Sequence, residues 1–190
     1  MQALYKRIRE NLAAQRDHVA RIVSGSACEQ WFSSEAYVAV NWPNRRLLRH
    51  RHCALAEHRK RDLIIRDELE RTIGTVESKM VYNNKNLWSA LADLHRQLQR
   101  NHYEDEVPEC GRAGLLYLVW MDCFARRDVK SLPDFHRAAL NEIDRLFPAR
   151  EYAQFPSKRF DEIVPITESA WPTGCFRLSL HMKLVQRTNR

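Results

Sequence analysis

Apolar side chains recur at helical spacing through the first forty residues. Between residues 2 and 23 most of the lysine and arginine side chains lie outside the apolar stripe, which predicts one amphipathic helix. Ser24-Gly25-Ser26 ends this helix and can cap a second one over residues 27–40, which stops before Trp42-Pro43. The chain is therefore expected to begin with two helices.

Three short runs rich in apolar and β-branched residues follow. Residues 53–58 predict a first strand, and residues 63–65 and 73–81 predict two more, on either side of a polar turn. With that turn centred near Leu69-Glu70, antiparallel partners have residue numbers that sum to about 139. This register places Asp62 across from Glu77.

A helix and a fourth strand come next. Leucines at helical spacing predict a helix that starts in the polar segment 83–86 and ends at about Arg100. Residues 115–121 are continuously apolar, as in a strand buried on both faces. Because a helix separates this strand from the preceding one, we expect the two strands to be parallel.

The last third of the chain predicts one more helix and one more strand. Ser131-Leu132-Pro133-Asp134 is typical of a helix start, and apolar spacing continues that helix to Phe147-Pro148. Residues 149–174 contain three prolines and are expected to be irregular. Residues 176–183 alternate between apolar and polar side chains, which predicts a strand with one buried face.

Charge adds a candidate partner to this picture. The 190 residues carry a net charge of +7, and the excess of basic side chains lies mostly in the first half. This favours a polyanion such as nucleic acid, although a solvated basic surface explains the same charge equally well. The side chains expected to contact nucleic acid are Arg45, Arg46, Arg49, Arg51 and Lys85.

Several other classes of protein do not fit the composition. Five cysteines without a C-x-x-C pair, and a first segment unlike a signal peptide, predict a reducing, cytoplasmic location. No apolar run approaches the roughly 20 residues that span a bilayer, so no membrane partner is expected. With five glycines in all, the chain has no phosphate-binding loop or dinucleotide fingerprint.

The hairpin at residues 62–82 carries the candidate chemistry. Strand alternation puts Glu77 and Lys79 on one face, where the predicted register also puts Asp62. These two carboxylates and the backbone carbonyl of Ser78 are oxygen ligands of the kind that Mg²⁺ prefers, and Lys79 could orient an attacking water. The same three charged side chains could equally form an ordinary surface salt-bridge cluster.

The order helix, three strands, helix, strand around these residues resembles the PD-(D/E)xK nuclease superfamily, over residues 27–122. The resemblance implies an α/β fold with a restriction endonuclease-like core: a central mixed sheet, an antiparallel meander plus a parallel crossover strand, flanked by helices. It makes Asp62 and Glu77 metal ligands, Lys79 the catalytic lysine, and Glu35 of the preceding helix the acid that completes the site. Arg61 stands where the family name has proline, and no QxxxY motif is clear, although Gln97 could touch the site.

The resemblance also implies an organisation and a function. A single nuclease-like domain would cover residues 1–190, with an extra N-terminal helix in 1–25, the core in 27–122, and a C-terminal helix and edge strand in 123–190. The expected activity is Mg²⁺-dependent hydrolysis of phosphodiester bonds, with Mn²⁺ as substitute metal, DNA as substrate and a homodimer as the assembly. The alternative is a catalytically silent module of the same fold that binds nucleic acid or a protein partner.

Overall fold

The computed structural model describes residues 1–25, 29–41, 53–56, 62–67, 69–84, 86–100, 111–125, 129–171 and 174–188. These form five α-helices and seven strands, with a short 3₁₀ turn at Asp122–Phe124. In chain order the elements are α1 (Gln2–Ala14), α2 (Arg16–Gly25), α3 (Glu29–Asn41), β1 (Cys53–Ala56), β2 (Leu63–Arg66), β3 (Thr72–Tyr82), α4 (Asn86–Gln99), β4 (Arg112–Met121), α5 (Leu132–Leu146), β5 (Tyr152–Phe155), β6 (Asp161–Trp171) and β7 (Gly174–Arg187).

The seven strands form one mixed sheet in the order β1-β2-β3-β4-β7-β5, and β6 also pairs with β7. Strands β1 to β3 are an antiparallel meander, whereas β4 runs parallel to β3 after the crossover helix α4. The predicted α/β class, meander and parallel crossover are therefore confirmed. Strand β7 is antiparallel to β4 and has partners on both of its sides, so it lies inside the sheet and not at its edge.

Helices cover both faces of this sheet. On one face, helices α1, α2 and α3 bury Tyr5, Val19 and Phe32 in a cluster that includes Val76 and Tyr117. On the other face, α4 and α5 pack in a second cluster with Val81, Leu116 and Leu118. Because successive side chains of a strand point to opposite faces, β3 and β4 contribute to both clusters. None of the helices described is long and apolar enough to cross a membrane.

The single helix predicted over residues 2–23 is wrong, because the chain bends at Gln15. Helix α1 ends there with a non-helical backbone (φ −115°, ψ 24°), and α2 restarts at Arg16. No large apolar side chain lies between Leu12 and Val19, so burial does not hold this turn in a continuous helix. The bend lets α1 pack on α3 while α2 packs on β6.

The prediction that residues 149–174 are irregular is also wrong, because this segment contains strands β5 and β6. Proline removes a backbone donor and usually argues against a strand. Pro165 is accommodated because, among the strands that the structure describes, β6 pairs with β7 alone, and its register shifts on either side of Val164. In a strand that has a neighbour on one side and is interrupted by bulges, the pairing does not need a backbone N–H from Pro165.

The last strand is longer than predicted, and most of its polar face is buried. Ser179, His181 and Lys183 are at most 3% exposed, as are Leu178, Leu180 and Met182, whereas Arg177 near the start of the strand is exposed. The polar face is covered from above by α5, whose His136 ring lies 4.3 Å from that of His181, and by Phe160, whose ring lies 5.5 Å from the Lys183 ammonium. The prediction of one buried face was wrong because the sequence pattern does not reveal this cover.

Candidate active site

The hairpin β2–β3 sets the position of Asp62. The backbone pairs Leu63–Val76, Ile64–Thr75 and Ile65–Gly74 follow the predicted register, which is confirmed for this stretch. The next pair in that register would be Asp62 and Glu77, although backbone pairing ends at Leu63. Asp62 therefore stands beside Glu77, immediately before β2 begins.

The Asp62 carboxylate is bound to the backbone of β3. The Ser78 backbone N–H donates a hydrogen bond to Asp62 Oδ2, with a donor–acceptor distance of 2.6 Å. Backbone N–H groups point along the sheet toward the neighbouring strand, so this carboxylate lies in line with β2 and near the plane of the sheet. That position gives it access to both faces of the Glu77-Ser78-Lys79 segment.

The turn of the hairpin is fixed by a second aspartate. Asp67 accepts hydrogen bonds from the backbone N–H groups of Leu69 and Arg71 and from the Arg71 guanidinium. The Arg71 side-chain hydrogen bond is the main cause that holds the pKa of Asp67 below its ordinary value. Glu70 has a left-handed backbone, with φ 59°, which closes the turn. These local contacts favour the register that brings Asp62 to β3.

Strand alternation divides the predicted site residues of β3 between the two faces. Val76 and Met80 belong to the cluster under α1–α3, and Val81 belongs to the cluster under α4 and α5. Glu77 and Lys79 therefore point toward the second cluster, the face that α4 covers. Glu77 is only 2% exposed, whereas Lys79 is partly exposed.

Glu35 lies on helix α3, which covers the opposite face of the sheet from the one toward which Glu77 and Lys79 point, so its predicted part in their site stays a prediction. Phe32, one helical turn earlier, packs against Tyr117 with ring centroids 4.3 Å apart, and Glu35 itself is partly exposed. Tyr117 is a neighbour of Met80 in the parallel pairing of β3 and β4. These contacts place the turn of α3 that carries Glu35 over the end of β3.

Tyr117 is a residue of this region that the sequence did not single out. It is fully buried, and its hydroxyl has no hydrogen-bond partner among the residues described. Its pKa is raised above the ordinary value, chiefly by burial and further by the negative charges of Asp62 and Glu35. The only signal in the sequence is a single tyrosine in a continuous apolar run, which is weak.

Of the remaining predicted site residues, the structure describes only Gln97. Arg45, Arg46, Arg49, Arg51 and Lys85 lie outside the residues described. Gln97 is partly buried on α4, next to Leu98, which packs in the cluster beneath that helix. Its predicted contact with the site stays a prediction.

A second group of polar side chains lies under α5, away from the hairpin. The ring Nε2 of His181 is 3.1 Å from Ser179 Oγ, and the Lys183 ammonium donates to the backbone carbonyls of Pro156 and Arg159. Burial and the nearby His136 lower the pKa of His181 to about 3, and burial lowers the pKa of Lys183 to about 8. Ser179 is 0% exposed, so this histidine and serine form a buried polar layer and no substrate reaches them.

The comparisons with known proteins add no family to this description. No family model matches the chain, no curated protein is similar to it, and no solved structure resembles it. The site is therefore interpreted from its own residues.

Proposed function

We propose that this protein is a metal-dependent nuclease that hydrolyses phosphodiester bonds, with DNA as its substrate. The observation that carries the proposal is the Asp62 carboxylate bound to the backbone of the Glu77-Ser78-Lys79 segment, at the end of a hairpin with the predicted register. The order of elements supports it as well. Helix α3, the antiparallel meander, the crossover helix α4 and the parallel strand β4 follow the order of the restriction endonuclease-like core.

The donor groups suit a hard divalent cation. Asp62, Glu77 and Glu35 offer only oxygen, and Mg²⁺ is usually held by one or two carboxylates together with waters and substrate phosphate oxygens. In the part of the chain that the structure describes, no three His, Cys, Asp or Glu side chains form a metal-binding group. A site built on a pair of carboxylates fits both facts. The Tyr117 hydroxyl, which has no hydrogen-bond partner among the described residues and whose pKa is raised chiefly by burial and further by the charges of Asp62 and Glu35, is consistent with a polar occupant.

The side chains would then have separate roles. Asp62, held by the Ser78 N–H, keeps a carboxylate at a fixed position, with Glu77 or Glu35 as its second acid. Lys79, which is partly exposed, brings a positive charge to the same segment, where it can orient water or stabilise negative charge on a phosphate. When bound, Mg²⁺ supplies a Lewis acid that polarises the phosphate and lowers the pKa of water.

The positive charge of the chain supports a nucleic acid partner. A net charge of +7 attracts a phosphate backbone at moderate salt, without selecting a sequence. A homodimer would let two such sites cut both strands of a duplex. This assembly is part of the proposal.

One observation favours a second function. Glu77 is 2% exposed, which is deep for a carboxylate that must meet a hydrated cation and a substrate. A catalytically silent module that keeps the fold, and binds nucleic acid or a protein partner through its basic surface, needs no open carboxylate.

A cleavage assay with matched variants separates the two functions. The protein is incubated with labelled DNA and RNA in Mn²⁺ or Mg²⁺, beside Glu77→Ala and Lys79→Ala. Exposed residues on other strands and loops provide the controls Glu168→Ala and Lys130→Ala. The nuclease proposal predicts cleavage of DNA that both site variants abolish and both controls retain, and that a chelator stops.

Two results would contradict this proposal. One is cleavage that persists at the parent rate in both site variants, which would indicate a contaminating nuclease. The other is binding of nucleic acid by the parent protein with no cleavage in either metal, which would support the silent module.

A further inference from the structure

The hydroxyl of Tyr117 is the feature of the site that folding alone does not explain. Tyr117 is 0% exposed, and its hydroxyl has no partner within the described part of the chain. A buried polar group without a hydrogen bond costs folding free energy, and phenylalanine would fill the same space without that cost. A tyrosine here therefore offers a hydrogen bond that no residue in the described part of the chain takes up.

The surroundings of Tyr117 point to the carboxylate site. Its ring lies against Phe32 of α3, one turn before Glu35, and its backbone pairs with Met80, two residues after Ser78. The Ser78 backbone holds Asp62. The ring thus lies on the face of the sheet that α3 covers, between the strand that anchors one carboxylate and the helix that carries another.

We propose that Tyr117 is a positioning residue of the cation site: its hydroxyl gains its missing partner, an oxygen in the hydration shell of a divalent cation, when the site beside Asp62 and Glu35 is filled. This inference rests on the proposed function for the presence of the cation. A protonated phenol donates one hydrogen bond and bears no charge, so it can hold a water in place without competing with the carboxylates for the ion. The preformed position of the hydroxyl avoids an ordering cost when the ion binds.

Two tyrosine variants with opposite expected behaviour test the inference. Tyr117→Phe removes no hydrogen bond seen among the described residues, so the melting temperature without metal is expected to stay the same or rise. The affinity for Mn²⁺ alone, followed by calorimetry and by the metal-induced rise in melting temperature, falls about 3- to 10-fold, the value of one hydrogen bond.

Tyr5→Phe is the matched control. Tyr5 is as deeply buried, but its hydroxyl donates to Asp161 Oδ2 at 2.9 Å and lies 3.0 Å from the Met182 carbonyl oxygen. Loss of the Tyr5 hydroxyl is expected to lower the melting temperature without metal and to leave the Mn²⁺ affinity unchanged. The two variants therefore separate a structural hydroxyl from one that serves the cation.

The outcomes also separate this inference from the proposed function. Equal Mn²⁺ affinity in the parent and in Tyr117→Phe overturns the inference alone, as does a metal-free melting temperature that falls as far as in Tyr5→Phe. No binding of Mn²⁺ by the parent overturns both proposals. Weaker Mn²⁺ binding by Tyr117→Phe, in a parent that cuts no nucleic acid, supports the inference and contradicts the nuclease.

Discussion

Replacing Asp62 by asparagine is expected to lower the rate of DNA cleavage by about 10²- to 10³-fold, because a cation ligand is worth several kcal/mol in the transition state. Asparagine keeps an oxygen that can accept the hydrogen bond from the Ser78 N–H, so the hairpin contact is retained. The melting temperature without metal should therefore change little, while the stabilisation by Mn²⁺ is lost. Cleavage rates and melting curves with and without Mn²⁺ measure the two effects in one preparation.

The exposed Asp17 of α2 provides the same chemical change away from the site. Asp17→Asn is expected to cleave DNA at the parent rate and to keep the stabilisation by Mn²⁺. Parent-like cleavage by Asp62→Asn would remove Asp62 from the mechanism. Unfolding of Asp62→Asn without metal would instead assign Asp62 a structural role in the hairpin.

Acidification from pH 7.5 to pH 5.0 is expected to lower the free energy of unfolding by about 2 kcal/mol through His181. The folded state lowers the pKa of this buried histidine to about 3, well below its ordinary value of about 6.5. Between these two values the unfolded chain binds a proton that the folded chain does not, so stability is full above the unfolded pKa and falls as the pH drops below it. His136 adds to the effect, since burial lowers its pKa too.

His181→Gln removes the proton-binding group, and its loss of stability between pH 7.5 and pH 5.0 should be about 2 kcal/mol smaller than that of the parent. Urea denaturation at the two pH values makes the comparison. Four carboxylates also have lowered pKa values and lose their contribution mainly at more acidic pH: Asp67, Asp122, Asp134 and Glu142. An equal loss in the parent and in His181→Gln would contradict the assignment.

The hairpin and the crossover could be predicted because local patterns determine them. The polar turn around Asp67 fixes which residues of β2 and β3 face each other, and one register brings the apolar residues of both strands to the same faces. The parallel pairing of β3 and β4 follows from the helix between them. The register of the β2–β3 hairpin is what allowed the sequence to place Asp62 beside Glu77.

The elements that the sequence did not predict depend on contacts between distant parts of the chain. The break at Gln15 follows from the different partners of α1 and α2, which helical spacing does not encode. Strands β5 and β6 form by pairing with the distant β7, and β6 does so despite Pro165. Ser179, His181 and Lys183 look like an exposed face until α5 and the segment around Phe160 cover them.

The arrangement of the candidate residues could be predicted only in part. Strand alternation puts Glu77 and Lys79 on one face, but it could not show that Asp62 binds the Ser78 N–H or that α3, which carries Glu35, covers the opposite face. Tyr117 was missed because one hydroxyl in an apolar strand has no distinct pattern. Its burial against Phe32 depends on the packing of α3, which the sequence does not reveal.

A crystal structure with Mn²⁺, in which anomalous scattering locates the ion, is the most direct test of the central claim that these carboxylates form a cation site. The account predicts one ion with an Asp62 oxygen at about 2.1 Å and an oxygen of Glu77 or Glu35 in the same coordination shell. A well-ordered hairpin at saturating Mn²⁺, with no ion at Asp62, would contradict it.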